Sequence, residues 1–484
     1  PRGVLRAVRF DPSFDWSDVT VVAAKDVPHN RVALIADDQP VLADDLVNHV
    51  YEPVVLLACA DKQKLARAKR AVTLDIDPLE PVFESERALA GGVVVWRAPD
   101  GFGEPGTNVM KRYLITKGDA AIDDEITRCA VVTRGVYSSH HQEQLYIETQ
   151  GVIAWWDEAG LHVIGSIQCP YYVHKALLKT FDLPAERALV TQAVTGGGFG
   201  GKEEYPSVIA LHAALLAKKA GRPVRMIYDR AEDIEATTTR HPCRVEIVSG
   251  CDADGTLRAL KMQVVMDAGA YVTLTPVVLS RGVLHAAGAY RWPNVHIEGI
   301  AVATNTPPNG AFRGFGAPQT IWAIERHMDA IARQVGVDPV ELRRKNILVE
   351  GDSTATGQVL RTSVAGQECL EKGLAASQYF ARRAEIDKEG AGPRAERVHA
   401  RGRLHRLGRA LPEGQGRGRS ARRRQAPHPH RLHRHRPGHR DGVPPARSRR
   451  GRGRDGGRRL RGAEHGRGPG LRPDRRLAHG DGRR

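Results

Sequence analysis

The chain contains 484 residues, of which 26% are charged, and carries a formal net charge of +16. The positive charge is confined to residues 401–484, where 27 arginines stand against six acidic residues, so residues 1–400 carry a net charge of −5. This mildly acidic body gives no electrostatic reason to expect nucleic-acid binding, and no apolar run is long enough to cross a membrane.

Six cysteines are scattered along the chain without a C-x-x-C pair. Their spacing argues against a disulfide scaffold, a zinc ribbon and an iron–sulfur cluster bound by this chain. It is compatible with a reducing compartment, and we expect a cytoplasmic location. The sequence begins with Pro1 and shows no signal peptide, so we expect it to be incomplete at its N-terminus.

The first 96 residues alternate short strand-like runs with turns. Strands are predicted within 18–27, 31–45, 51–60 and 73–83, and a helix over 62–72. This pattern predicts a small α/β domain over residues 1–96. A Gly/Pro-rich linker, RAPDGFGEPGTN, follows it at 97–108.

From Tyr113 onward strands dominate. They are predicted within 129–139, 143–156 and 160–169, before a helix over 172–181, and again in a β-rich run over 244–306 that is interrupted by the turn DADGT. The last clear helix begins just after Pro318 and ends at Gly336. The sequence therefore predicts an α+β fold, with a mixed α/β domain after the N-terminal one.

The stretch TGGGFGGKEE lies between a strand predicted over 188–194 and an amphipathic helix predicted over 206–221. Five glycines in six positions allow the backbone to come close to a ligand, and the start of a helix favours a phosphate or an oxyanion. A mobile linker is the alternative, but linkers rarely carry a lone Phe and paired carboxylates. The loop is therefore predicted to bind a ligand.

The glycine loop alone leaves the ligand open. Gly196, Gly198 and Gly201 fit G-x-G-x-x-G, and the strand-like run VRMIYD ends at Asp229, so the order imitates a dinucleotide-binding unit. The acid comes 28 residues after Gly201, later than the usual spacing of about 20. An NAD-dependent dehydrogenase is thus one hypothesis. A P-loop is excluded, because an acid follows the lysine where Ser or Thr is needed.

Three further motifs accompany this loop. GSIQ ends a predicted strand at Gln168, LSRG places Arg281 in an otherwise apolar segment, and AFRGFGAPQ carries Arg313 and Phe315 into the last helix. Each residue also has a purely structural interpretation: a strand-end polar residue, an edge-strand arginine or one with a buried partner, and a core aromatic. Glu203 could likewise be an ordinary first-turn acid.

Together, these stretches resemble the molybdenum-cofactor-binding large subunit of the xanthine dehydrogenase and aldehyde oxidase family. The resemblance runs from about Val4 to about Leu374 and includes the family's hammerhead-like α/β domain at the N-terminus. It implies domains over 1–96 and 109–375 and the start of a second molybdopterin-binding domain at 376–394. It also implies a pyranopterin molybdenum cofactor whose metal takes no protein ligand, with [2Fe–2S] clusters and FAD on partner subunits.

The resemblance further implies a role for individual residues. Gln168 matches the glutamine that hydrogen-bonds a molybdenum oxygen, while Gly198, Phe199 and Gly200 match the loop against the cofactor. Arg313 matches the arginine of the second cofactor loop. The family's catalytic general base, a glutamate, lies beyond anything this chain encodes, so none is assigned.

The substrate-facing residues are Phe315, which matches an aromatic that packs on the substrate ring, and the pair Glu203 and Arg281, which match residues that grip and activate a purine. A guanidinium can stabilise negative charge developing on the ring, and a carboxyl group can exchange a proton with a ring nitrogen. Aldehyde-oxidising relatives typically replace this pair, and carbon monoxide-oxidising relatives carry a cysteine near Gly314. The sequence therefore favours a purine-like N-heterocycle, with an aldehyde oxidase-type activity as the alternative.

The tail over 395–484 is a different kind of sequence. Residues 401–484 contain no aromatic residue, Ile, Met or Lys, so the tail is predicted to be disordered. An Arg-rich nucleic-acid-binding protein is a further hypothesis, but stacking aromatics are missing and only non-specific binding is expected. GC-rich codons for HRHRPGHRDGVPP, shifted by one base, encode TDIGQGTETVFR, which is similar to a loop in the family's last domain. We therefore interpret the tail as frameshifted and expect the chain as written to be inactive.

Overall fold

The computed structural model describes residues 2–118 and 121–388, and the tail predicted to be frameshifted and disordered lies outside these ranges. The N-terminal part is α/β, as predicted. Its elements are β1 (Gly3–Phe10), β2 (Thr20–Ala23), β3 (Leu46–Val47), β4 (Val55–Ala58), α1 (Lys62–Arg70), β5 (Val72–Pro78) and α2 (Ser85–Ala90).

The remaining described residues form a mixed α/β arrangement. The first elements are β6 (Val109–Lys117), α3 (Ile122–Arg128), β7 (Val131–Ser139), β8 (Gly151–Asp157), β9 (Gly160–Gly165), α4 (Pro170–Phe181), β10 (Ala188–Gln192), α5 (Pro206–Ala220), β11 (Val224–Ile227) and α6 (Arg230–Ala236). The last are β12 (Cys243–Cys251), β13 (Leu257–Gly269), α7 (Thr275–Leu284), β14 (Asn294–Ala303), α8 (Ala317–Val335), α9 (Pro339–Asn346), α10 (Gly366–Ser377) and α11 (Tyr379–Lys388).

Two large sheets organise these elements. The four-stranded sheet has the order β10-β9-β8-β11, and the five-stranded sheet has the order β6-β14-β13-β12-β7. The apolar side of the four-stranded sheet packs on α4 and α5 together with residues of β2 and β4, while the five-stranded sheet packs on α7 and α8. N-terminal strands thus contribute directly to the core that supports the glycine loop.

Helix α5, predicted to be amphipathic, is buried on every side from Pro206 to Ala217. It lies between β8 and the pair β2 and β4, so no face of it meets water before the two lysines near its C-terminus. A helix that is apolar all round is typical of a core position. The amphipathic expectation is therefore wrong, although the helix begins and ends where the sequence predicts.

The strand order contradicts a dinucleotide-binding unit. β10 and β11 lie at opposite edges of their sheet with β9 and β8 between them, and β11 runs antiparallel to its neighbour β8, whereas that unit places its two strands in an all-parallel sheet. Asp229 instead caps α6, where its carboxylate accepts a hydrogen bond from the Glu232 N–H at 2.9 Å. The observed fold therefore contradicts the NAD-dependent dehydrogenase hypothesis, which required a dinucleotide-binding unit here.

Two other strand predictions are also wrong. Residues 31–45 contain no strand, because Asn30 exchanges side-chain hydrogen bonds with the Leu42 backbone while Val41 and Leu42 fill the core beside α5. The segment around Arg281 is the helix α7.

No helix in the described ranges is long and apolar enough to cross a membrane. All six cysteines lie in the described ranges, and they form no disulfide. The predicted domain boundaries remain predictions.

Candidate functional site

Gln168 lies three residues after β9 and holds the first glycine loop, residues 196–201. Its side-chain Oε1 accepts hydrogen bonds from the N–H groups of Gly200 at 2.9 Å and Lys202 at 3.2 Å. A Cβ atom at Gly198 would lie 2.3 Å from the same Oε1, so a larger residue would displace this side chain. The Gln168 amide NH₂ makes no hydrogen bond within the described residues, so it is available to a ligand.

The first glycine loop contains N–H groups that have no hydrogen-bond partner among the described residues. Phe199 adopts the left-handed region with φ +51, between Gly197 at +94 and Gly200 at +105. Within the described part of the chain, the N–H groups of Gly197, Gly198 and Phe199 form no hydrogen bond. The Phe199 ring is 46% exposed. The loop therefore offers three consecutive donors and an apolar ring to a bound group.

The second glycine loop, residues 311–316, is joined to the first. The Arg313 N–H donates to the Phe199 carbonyl at 2.8 Å, and a Cβ atom at Gly200 would come within 2.5 Å of the Ala311 carbonyl oxygen. The Glu204 carboxyl group accepts from the Ala311 N–H at 3.0 Å, and burial raises the pKa of Glu204 to about 7. The two loops thus form one continuous surface.

Helix α7 brings Arg281 to this surface. Its guanidinium lies 4.7 Å from the centre of the Phe315 ring, at a favourable cation–π distance. Arg281 is exposed, and its guanidinium makes no hydrogen bond or ion pair in the described ranges. The edge-strand interpretation and the expected buried partner are therefore both wrong: Arg281 is a helical residue whose charge faces an open site.

Glu203 follows the first loop and lies near Arg281. Its N–H donates to the Gly200 carbonyl at 3.0 Å, and its side chain is half-buried. Burial raises the pKa of Glu203 above its usual value, and the Arg281 guanidinium opposes part of that shift. A carboxyl group with a raised pKa beside a cation is suited to exchanging a proton with a bound ring.

Sequence reasoning missed Arg240, which supports the second loop. Its guanidinium lies 3.8 Å from the Phe312 ring centre and donates to the Arg313 carbonyl at 3.1 Å, and burial lowers the pKa of Arg240 to about 10. It stands 71 residues before the loop in the sequence, so no local pattern could have connected the two. Glu148, which lies 48 residues before the first loop, was missed for the same reason, and with it the ion pair that it forms with Lys202.

The residues present fit a pyranopterin cofactor. Such a group carries phosphate and ring heteroatoms that accept hydrogen bonds, and the surface presents the three unpaired N–H groups of the first loop. The exposed Arg313 guanidinium, which makes no hydrogen bond or ion pair in the described ranges, adds positive charge. No cluster of His, Cys, Asp or Glu among the described residues could itself hold a metal ion. The N–H groups of the first loop and the Arg313 guanidinium are therefore complementary to the phosphate and ring heteroatoms of such a cofactor.

Comparison with known proteins agrees with this chemistry. A family described as the molybdopterin cofactor-binding domain matches residues 102–347. The chain is 35% identical to the nicotinate dehydrogenase large molybdopterin subunit of Eubacterium barkeri, over 71% of this chain and 78% of that protein. It is 37% identical to a probable xanthine dehydrogenase subunit of Bacillus subtilis, over 68% of this chain but only 43% of that protein.

The fold is also similar to a solved structure. Aldehyde oxidoreductase from Desulfovibrio gigas superimposes with a TM-score of 0.72 at 24% identity, over 80% of this chain and 43% of that one. At this identity the likeness concerns the fold alone. The chain therefore spans less than half of two of these three proteins.

Proposed function

Because the chain belongs to the molybdenum-cofactor-binding xanthine dehydrogenase family, we propose that it is the part of a molybdenum hydroxylase that holds the cofactor and an N-heterocyclic substrate. The observation that carries the substrate class is the Arg281 guanidinium over the Phe315 ring at 4.7 Å, with the Glu203 carboxyl group close enough for Arg281 to shift its pKa. A planar ring bearing both a basic nitrogen and an exocyclic oxygen is complementary to these three side chains.

The cofactor would be held by both glycine loops. The N–H groups of Gly197, Gly198 and Phe199 would donate to it, Gln168 would donate through its amide NH₂, and Arg313 would add a positive charge. When bound, the cofactor supplies a two-electron redox centre and the water-derived oxygen added to the substrate carbon. The residues of this chain supply orientation and charges placed in advance around the bound groups.

The substrate would be oriented by Phe315 and polarised by Arg281. The guanidinium occupies one face of the Phe315 ring, so a substrate ring that takes this face would displace it onto the exocyclic oxygen, where negative charge develops. Glu203 would exchange a proton with a ring nitrogen. The relatives named for nicotinate and xanthine support a heterocycle, and Phe315 beside Gly314 replaces the cysteine of carbon monoxide-oxidising relatives. The alternative is an aldehyde.

Electrons would leave through [2Fe–2S] clusters and FAD on partner subunits, since the cysteine spacing of this chain matches no iron–sulfur motif. The cytoplasmic location predicted from the cysteines is part of this proposal.

The frameshift is also part of this proposal, and DNA sequencing through codons 380–484 tests it directly. An alternative frame that stays open and continues the family pattern is expected, and a closed one would overturn the interpretation.

The test of function uses a chain continued in the alternative frame and produced with iron–sulfur and flavin partner subunits. It should hydroxylate xanthine or hypoxanthine, and the Glu203→Gln and Arg281→Met variants should each lower kcat/KM at least tenfold. Arg225→Met, a change at an exposed arginine away from the loops, serves as the matched control. Purified as written, the 484-residue chain should hold no stoichiometric molybdenum. Preferred turnover of benzaldehyde, unchanged in both variants, would contradict the proposed substrate class.

A further inference from the structure

Lys202 closes the first glycine loop with a fully buried charge. Its side chain is 0% exposed, and a buried ammonium group is destabilising unless it is paired and hydrogen-bonded. Its Nζ donates to the Glu148 carboxylate at 2.8 Å and to the Ser166 hydroxyl at 2.9 Å. The same Nζ lies 4.7 Å from the centre of the Tyr146 ring. Each of these contacts stabilises the cation.

Glu148 contacts the opposite end of the loop. The carboxylate oxygen that accepts from Lys202 also accepts from the Gly196 N–H at 2.7 Å and from the Ser166 hydroxyl at 2.5 Å. One oxygen atom therefore joins the first and the last residue of the stretch from Gly196 to Lys202. The three N–H groups between these ends, at residues 197–199, remain unpaired within the described chain.

We propose that Glu148 and Lys202 are positioning residues: their ion pair closes the first glycine loop and fixes its donors in a ligand-binding arrangement before any cofactor is bound. The identity of the ligand rests on the proposed function, but the preformed loop does not. Neither side chain is free to bind the ligand itself, because Lys202 is fully buried and the Glu148 carboxylate already accepts from Lys202, Ser166 and Gly196. They act through the backbone that they hold.

The two residues of the ion pair differ in exposure, so removing one should not have the same effect as removing the other. The Glu148 side chain is 45% exposed, whereas Lys202 is not exposed at all. Glu148→Gln leaves a buried cation without its anion, while Lys202→Met leaves a carboxylate that water can reach. Removing the acid should therefore disturb the loop much more than removing the base. Glu148→Gln combined with Lys202→Met should relieve most of the damage, because it leaves no buried charge.

The test is hydrogen–deuterium exchange of peptides spanning 193–204 in the purified 484-residue chain without cofactor. We expect Glu148→Gln to raise the exchange rate of the loop at least tenfold and Lys202→Met to raise it threefold or less, with the double variant below Glu148→Gln alone. Amides of β13 provide the internal reference, since global unfolding would raise their exchange as well. Asp26→Asn, which breaks the exposed ion pair with Lys219, is the matched control and should leave the loop unchanged.

Ser166→Ala keeps the test decisive if Glu148→Gln does not fold. It removes the hydroxyl that contacts both partners, so loop exchange should rise about threefold while β13 exchange stays constant. Wild-type loop exchange in Ser166→Ala and in Lys202→Met would overturn the proposal, as would a double variant that exchanges faster than both single variants. The measurement involves no molybdenum, so a failure of the proposed function would leave it intact, and its own failure would leave the proposed function standing.

Discussion

The two glycine loops share a backbone design but differ in what holds them. Each places a phenylalanine in the left-handed region, Phe199 with φ +51 and Phe315 with φ +50, next to glycines of positive φ. The first loop is closed by the ion pair of Glu148 with Lys202. The second is held by the Glu204 carboxyl group and by the Arg240 guanidinium. Charge pairing secures one loop, and buried hydrogen bonding secures the other.

The phenylalanine rings of the two loops differ in the same way, which suits them to different roles. Phe199 is 46% exposed on a loop whose support lies underneath it, so its ring is available to a cofactor. Phe315 packs against the core around the five-stranded sheet and beneath Arg281, so its position is fixed by the fold. An exposed apolar contact on one loop and a core-packed one on the other suit a site that must bind a cofactor and orient a substrate.

The largest effect on stability should come from Gly200→Ala, because Gly200 lies where the two loops contact each other. The residue has φ +105, and its new Cβ would meet the Ala311 carbonyl oxygen at 2.5 Å, a backbone atom that cannot move aside. We expect a loss of about 3 kcal/mol in the free energy of unfolding, measured by urea denaturation. Gly221→Ala is the matched control: it has φ +63 with no atom within 4 Å, and should cost only about 1 kcal/mol.

Arg240→Met tests the support of the second loop. It removes a charge-assisted hydrogen bond to the Arg313 carbonyl and the contact with the Phe312 ring. We expect a loss of about 2 kcal/mol in the free energy of unfolding, with faster hydrogen exchange over 311–316 than over 196–202. Equal exchange in the two loops would mean that they do not depend on separate supports.

The acids that hold the two loops have pKa values shifted in opposite directions, so their contributions to stability should depend on pH in opposite ways. Burial raises the pKa of Glu204 to about 7, so its contribution to stability is largest below the unfolded value of about 4.5 and is lost as the pH rises towards 7. Burial alone would raise the pKa of Glu148, but the hydrogen bonds from Lys202, Ser166 and Gly196 outweigh it and lower the pKa to about 2. Its contribution is complete above pH 4.5 and is lost as the pH falls towards 2.

The pH dependence of stability tests this contrast. The difference in unfolding free energy between Glu204→Gln and the wild type should move in favour of the variant by about 1–3 kcal/mol from pH 5 to pH 8. Glu148→Gln should show no such trend over that interval. A pH-independent difference for Glu204→Gln would show that its carboxyl group titrates normally.

The smallest effect on stability should come from Phe199→Ala. Its ring is nearly half exposed and contributes little to the core, so the free energy of unfolding should change by about 0.5 kcal/mol or less. Phe315→Ala is the contrasting variant and should cost about 2 kcal/mol or more, because its ring packs on the core. Similar costs for the two variants would contradict the difference in packing between an exposed Phe199 ring and a Phe315 ring held against the core.

Local signals predicted much of this structure. Helix α8 follows from the stop at Gly336, and the glycine loop follows from its composition. The same signals could not show that α5 is buried on every side, because its environment is set by β2 and β4, more than 140 residues earlier. Nor could an apolar run around Arg281 distinguish a strand from the helix α7. Glu148 and Arg240 escaped notice because they act across 48 and 71 residues, where no periodicity reaches.

The most direct test of the central claim, that the two loops form one cofactor site, is the molybdenum content per chain. It should be measured on the chain continued in the alternative frame and purified with its partner subunits. We predict close to one molybdenum per chain in the parent and in Gly221→Ala, and less than about one tenth in Gly200→Ala, which separates the loops. Full molybdenum content in folded Gly200→Ala would contradict the claim.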